Sequence, residues 1–202
     1  MTTIAVVSAG LSEQSSTRLL AAKLASATLD SLPHKASSQV INLREHAHDV
    51  TNALLTGVPT GALGGLVRAV ADADALIAVT PIFNASYSGL FKSFFDVIEP
   101  DSLVGKPVLM GATGGTERHS LALEHALRPM FAYLRAVTVP TAVYAATSDW
   151  GAESGLESRI ALAGKELADL LAHRAPTPKP DPYADVTPFA ELLNRQARTQ
   201  PK

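Results

Sequence analysis

Cysteine is absent from all 202 residues. That excludes disulfides, thiolate metal sites, iron–sulfur clusters and a cysteine nucleophile, and it suits a cytoplasmic setting. Charge is sparse: 18% of residues are charged and the net charge is −2. No basic footprint for nucleic acid or an acidic membrane follows from that balance. No apolar run approaches the ~18 residues of a membrane helix. The start, MTTIAVVSAG, lacks a basic segment ahead of its short apolar run, so no signal peptide is expected. Three motifs are also missing. Without G-x-x-x-x-G-K-[ST] there is no P-loop, without G-x-G-x-x-G no dinucleotide fingerprint, and without G-x-S-x-G no hydrolase elbow.

What is present is an alternation. Short apolar runs at 4–8 (IAVVS), 39–43 (QVINL), 75–80 (ALIAVT), 107–112 and 137–145 read as strands. Helical patterns fill 16–27, 65–73, 90–98, 121–134 and 156–171. Residues 44–59 read as polar and irregular, and Gly61-Ala-Leu-Gly-Gly as a flexible lead-in to a helix. Apolar strands alternating with amphipathic helices predict an α/β, three-layer, doubly wound domain. Its five-stranded parallel sheet should run in the order 2-1-3-4-5, with a ligand crevice at the carboxyl ends of strands 1 and 3. This domain should span residues 1–175. Residues 176–202 hold six of the 13 prolines and no glycine. They read as an extended tail ending in a short helix that carries Phe189, Leu192 and Leu193.

The crevice rule singles out three loops. The first, SAGLSEQSSTR from Ser8 to Arg18, includes Gly10 and leads into a helix. One hydroxyl suffices for an N-cap. Ser15, Ser16 and Thr17 in a row exceed that need and suit a phosphate at a helix N-terminus. The second is TPIFNASYSGLFKSFFD, Thr80 to Asp96. Pro81 is expected to end the strand, and Gly89 to adopt a backbone conformation that a side chain would block. Phe83 and Tyr87 offer flat faces, while Asn84, Ser86 and Ser88 offer donors and acceptors. A planar heteroaromatic ring would use all of them. The third loop, GATGGTERH from Gly111 to His119, allows close backbone approach at Gly114 and Gly115.

These residues resemble the NADPH-dependent FMN reductases of flavodoxin-like fold. That family's signature P-x-Y-N-x-S-x-x-G-x-L-K-x-x-x-D is met by Pro81, Phe83, Asn84, Ser86, Gly89, Phe91, Lys92 and Asp96, with Phe in place of Tyr and of Leu. The hydroxyl cluster followed by Leu19 and Leu20, and the pair Gly114-Gly115 with Arg118 and His119 after it, are similar too. The resemblance covers about residues 3–172. One departure is Leu11, where many members carry an arginine, so phosphate charge falls to N–H and hydroxyl groups or to Arg18.

The resemblance implies FMN as cofactor, with NADPH or NADH as hydride donor and free FMN or another acceptor downstream. No side chain is expected to act as acid or base, and no metal is expected. Ser8, Gly10, Ser15, Ser16 and Thr17 would serve the phosphate. Pro81, Ile82, Phe83, Asn84 and Ser86 would meet the ring edge, and Gly114 and Gly115 its other side. A homodimer or homotetramer, and a flavin-dependent monooxygenase as partner, are further expectations. The alternatives are a quinone or azo reductase of the same fold and a flavodoxin-like carrier. The carrier is disfavoured by near-neutral charge and by the position of Trp150, the only tryptophan, after the last strand. His46 and His48 are not expected to bind metal, and Glu124 and Arg128 are expected to form a solvated i, i+4 pair. Phe91, Phe94 and Phe95 are read as core.

Overall fold

The computed structural model describes residues 1–151 and 155–173. The Pro-rich tail at 176–202 lies outside the described residues. Among the described residues the order is β1 (Thr2–Ser8), α1 (Ser16–Ser31), β2 (Ala36–Asn42), α2 (Ala47–Thr56), α3 (Gly61–Asp72), β3 (Ala75–Phe83), β4 (Ser86–Tyr87), α4 (Gly89–Asp96), β5 (Pro107–Gly114), α5 (Arg128–Tyr133), β6 (Val137–Thr138), β7 (Val143–Ala146) and α6 (Leu156–His173).

The sheet runs β2-β1-β3-β5-β6, and β7 also pairs with β5. All these pairings are parallel. The expected order is therefore met over five positions, with the fifth shared by two short strands. Pro140, which has no N–H, falls at the break. Around it side chains replace ladder bonds. Arg128 donates to Thr138 Oγ1 at 2.8 Å and to the carbonyls of Val139 and Pro140 at 3.1 Å each. Glu166 accepts from the Thr141 N–H and hydroxyl at 2.8 Å each. Glu124 grips Arg128 through both carboxylate oxygens. The expected i, i+4 pair is therefore present with its carboxylate exposed, and its arginine also clamps the broken strand. The guanidinium beside Glu124 lowers that carboxyl's pKa against the opposing effect of burial.

Two cores flank the sheet. One packs Val50, Leu63, Val70, Phe91, Phe94, Phe95 and Phe131 from α2, α3, α4 and α5 against Ala5, Leu76 and Met110. The other packs Leu20, Leu24, Ile160 and Leu167 from α1 and α6 against Ile4, Ile77 and Leu109. The three phenylalanines of α4 are fully or almost fully buried, and their rings meet edge to face or tilted. No single helix among the described residues is long and apolar enough to cross a membrane.

Four local expectations need correction. The stretch 44–59 contains a helix, α2, which buries only Val50 and Ala53, too few positions for a visible period. It stops at Gly57, whose φ of 75° places it in the left-handed region. Gly61–Gly65 is the first turn of α3 and not a flexible lead-in, and a Cβ on Gly64 would stand 2.7 Å from the Pro59 carbonyl. The helix expected from 121 begins as a π-turn over Leu123–Leu127, just before Pro129 enters α5 without an N–H to give. Finally, Pro81 does not end β3. Val79 turns its carbonyl to β1 and accepts from the Ala9 N–H at 2.9 Å, the last bond before β1 gives out. Strand alternation turns Pro81 to that same side, so its missing N–H breaks no ladder bond.

The crossing of α1 and α6 depends on Gly164, where a Cβ would lie 2.8 Å from the Ala27 backbone and 2.9 Å from the Thr28 nitrogen. Gly65 on α3 faces open space. One substitution should therefore have opposite signs at the two sites. Gly65→Ala should stabilise by about 0.5–1 kcal/mol through helix propensity. Gly164→Ala should lose about 1–3 kcal/mol to overpacking, enough to cancel or exceed the same propensity gain. Thermal unfolding of both variants checks this. A Gly164→Ala variant as stabilised as Gly65→Ala would show that the helices are free to separate.

Candidate functional site

The carboxyl edge of the sheet is uneven. β1 ends at Ser8, opposite Val79, while β3 continues to Phe83 and β5 to Gly114. Over the short strand lies a cleft of about 480 Å³. Ser15, Ser16 and Thr17 form one wall, Pro81, Ile82 and Phe83 another, and Thr113, Gly114 and Gly115 a third. The three loops singled out in the sequence thus converge, and its volume suits a small-molecule ligand.

Ser15 is the N-cap of α1, its hydroxyl accepting from the Arg18 N–H at 3.4 Å. The other first-turn N–H groups have no acceptor within the helix, so they and the helix dipole offer a seat to an anion. Ser16 is exposed, and among the described residues no hydrogen bond engages its hydroxyl. Thr17 differs: it is buried, and its hydroxyl bonds that of Thr113 at 2.8 Å, which ties the first loop to β5.

The stretch after β3 is a hairpin. Ile82 pairs with Tyr87 and Phe83 with Ser86. Asn84 and Ala85 take up the turn with φ of 49° and 66°, both in the left-handed region. Its base is locked by buried Thr80, whose hydroxyl donates to the Pro81 carbonyl at 2.9 Å and accepts from the Ser88 N–H at 3.0 Å. Ser88 in turn caps α4. The strained positions are therefore Asn84 and Ala85. Gly89 is the first residue of α4, its φ is not positive, and a Cβ there would meet nothing within 4 Å, contrary to the role expected for it. Lys92 pairs with Asp96 one turn along α4.

Ser8, Gly10, Asn84 and Ser86 do not line the cleft. Ser8 is buried at the end of β1. Gly10 lets the first loop close, since a Cβ would overlap the Ser15 hydroxyl. Asn84 forms the exposed hairpin tip, and Ser86 belongs to β4. His119 is exposed and also stands apart from the lining.

The structure adds Leu11, Ser12, Gln14, Thr113, Thr147 and Trp150 to the lining, none of them among the residues expected to bind. Trp150 follows the last strand in sequence. A turn at Thr147–Trp150 brings it back to the cleft. Asp149 accepts from the Ala146 N–H at 2.8 Å, and Arg159 donates to the Tyr144 carbonyl at 3.1 Å beside it. The tryptophan supplies a flat apolar face. Among the described residues none of the lining side chains is charged.

Gly114 is set by Tyr144. A Cβ there would overlap the Tyr144 hydroxyl, which donates to the Thr116 carbonyl at 2.7 Å and holds the third loop. Burial raises the tyrosine's pKa above its usual 10, helped by Asp149 and Glu117.

The model of the family described as NADPH-dependent FMN reductase matches residues 2–151. An "FMN reductase (NADPH)" of Pseudomonas aeruginosa is 36% identical over 176 residues, covering 85% of this chain and 94% of its own. The "NADH-dependent FMN reductase SfnE" of Pseudomonas putida is 40% identical over 141 residues, 67% of this chain and 76% of its own. The crystal structure of an oxidoreductase from Corynebacterium diphtheriae superposes with a TM-score of 0.84 at 44% identity, over 87% of this chain and 99% of that one.

A tyrosine whose folded pKa is raised contributes stability that is complete below the unfolded value near 10 and lost as pH climbs through the folded value. Stability should therefore fall more steeply above pH 10 in the native chain than in Tyr144→Phe. Chemical denaturation at pH 8 and pH 10.5 measures the difference. Parallel losses in the two proteins would mean that Tyr144 titrates as if unfolded.

Proposed function

This chain belongs to the NADPH-dependent FMN reductase family, and from that membership we propose that it binds FMN in the cleft and reduces flavin with a nicotinamide dinucleotide. The observation that carries the reading is the meeting of a helix N-terminus rich in hydroxyls with flat apolar walls at one uneven sheet edge. The residues present fit the group. Ser15, Ser16 and the first N–H groups of α1 would hold the monophosphate. Pro81, Ile82, Phe83 and Trp150 offer faces to a planar ring, and Gly114 and Gly115 leave room for close approach.

When bound, FMN supplies the two-electron chemistry that accepts hydride from the nicotinamide. The chain's own part is positioning. Thr80 and Ser88 fix the hairpin, Thr17 and Thr113 fix the phosphate loop, and Tyr144 fixes the glycine pair. Among the described residues the lining includes no carboxylate, histidine, lysine or arginine, and the reading asks no side chain to move a proton. No guanidinium lines the cleft among the described residues, so among these the phosphate would be met by N–H and hydroxyl groups. Such a hold is modest, which suits a reductase that releases flavin or passes electrons on to free FMN or another acceptor.

A homodimer or homotetramer, with a flavin-accepting monooxygenase as partner, extends the same reading. It is supported by exposed Leu54, Leu55 and Val58 about the end of α2.

Titration of the flavin-free protein tests the proposal, together with NADPH and NADH oxidation in the presence of FMN. FMN should bind more tightly than riboflavin or FAD. Ser16→Ala removes a hydrogen bond to a charged group worth about 1.5–3 kcal/mol, so FMN affinity should fall about tenfold or more while riboflavin is little affected. Equal losses for both flavins would sink the phosphate assignment, and no flavin-dependent oxidation of either nucleotide would sink the reductase reading.

A further inference from the structure

We propose that the outer edge of β2 pairs with β2 of a second copy of this chain, antiparallel and about a two-fold axis at Gln39, so that the two sheets run on as one. The inference rests on the backbone of the sheet and is independent of the flavin reading.

The two ends of the sheet are built differently. An edge strand offers a row of unpaired N–H and C=O groups, and it is normally blunted by charge, proline, bulges or short length. The far end has such devices. β6 and β7 hold two and four residues, Pro140 lies between them, and the side chains of Arg128 and Glu166 take up backbone groups there. β2 has none of them. It runs for seven residues, ASSQVIN, without charge, proline or glycine, and pairs with β1 in unbroken register from Ala36 to Asn42.

The groups left over can be named. The Thr3 carbonyl accepts from the Asp74 N–H and the Ala9 N–H donates to Val79, so odd-numbered residues of β1 turn their backbone groups to β3 and even-numbered ones to β2. In a parallel ladder those even residues bond the neighbours of their register partners, here Ser37, Gln39 and Ile41. The N–H and C=O groups of Ala36, Ser38, Val40 and Asn42 therefore point outward. Among the described residues no backbone bond outside the ladder reaches them. Nor does a helix overhang the middle of the strand. Ile41 enters the core on the α2 and α3 side, which puts Gln39 on that face and Val40 on the other. Both are exposed, Val40 to 53%.

A second copy is the occupant that meets every one of these groups. About an axis at Gln39, Ala36 faces Asn42, Ser38 faces Val40, and Gln39 faces its own copy. All four outward residues of each chain then find partners, with about eight backbone hydrogen bonds in all. An uncharged strand opposes no like charges when it pairs with itself, as a self-complementary contact requires. The charges that flank it also agree. Lys35, which has no ion pair among the described residues, comes to the end of the facing strand that Glu45 follows. Arg44 at that end is already answered by Glu13 at 3.9 Å.

The chain has no cysteine, so a single one can report the axis. Gln39 would face its copy at a non-hydrogen-bonded position, where Cα atoms stand about 4.5 Å apart, within the range of a disulfide. Under mild oxidation, Gln39→Cys in the full chain should form a covalent dimer at least about tenfold faster than Leu162→Cys, an exposed control on α6. Light scattering reads the mass. Ser38→Pro removes an outward donor and no bond to β1, and Val40→Lys sets a charge on the edge. Each should halve the mass of the native assembly and leave the circular dichroism of the fold intact. Should Ser38→Pro fail to fold, Val40→Lys decides. A monomeric native chain overturns the proposal. So does a native mass that the folded variants retain, or a Gln39→Cys chain that cross-links no faster than the control. None of these readings depends on flavin binding or turnover.

Discussion

A parallel sheet covered on both faces must bond every backbone group within the ladder, since no water reaches an unpaired one. This constraint shapes the whole chain. β1 stops at Ser8, and Ala9 gives its N–H to Val79 as the last bond on that side. Beyond it β3 continues only because Pro81 brings no N–H to strand and because Thr80 and Ser88 fold the chain back into a hairpin. The notch left above β1 is the cleft. Its existence follows from unequal strand ends, and those follow from where backbone groups can still find partners.

The same constraint explains the side chains that act as backbone substitutes. Arg128 and Glu166 bond the groups that the break at Pro140 would leave unmet. Lys106 is buried and donates to the carbonyls of Ala71 and Ala73 at the end of α3, where the helix has no N–H left to offer. Tyr144 does so for Thr116 in the third loop. Each is a long side chain reaching a backbone atom distant in sequence. Together they keep the lower sheet and the loop edge rigid, and binding loops on a rigid frame are held in position without being buried themselves.

The charge arrangement follows from the loops. Around the cleft lie hydroxyls, glycines and flat faces, with no charged side chain in the lining among the described residues. On the far side of the same loop lie two arginines and an unpaired amide oxygen. A neutral cleft relies on N–H groups and a helix dipole to hold an anion, and it holds it less firmly than a guanidinium would. That suits a ligand that must come and go.

The sequence by itself determined the sheet order, the two-faced core and the three loops that line the cleft. Strand and helix periods, glycines and hydroxyl runs are local features, and right-handed crossovers convert their order into topology. Ser15, Ser16, Pro81, Phe83, Gly114 and Gly115 were legible for that reason. The tertiary structure alone decided the rest. Helix α2 shows too few apolar positions to announce itself, because only Val50 and Ala53 face the core. The positive φ angles fell on Asn84 and Ala85 and not on Gly89, because the chain closes a two-residue hairpin there. Trp150 reached the cleft, and Arg18 left it for the neighbouring pocket, because a loop's direction is set by partners far along the chain: Asp149 and Arg159 for the one, the Gly10–Ser15 contact and β2 for the other. Local pattern names the elements, and long-range hydrogen bonds choose which side chains meet.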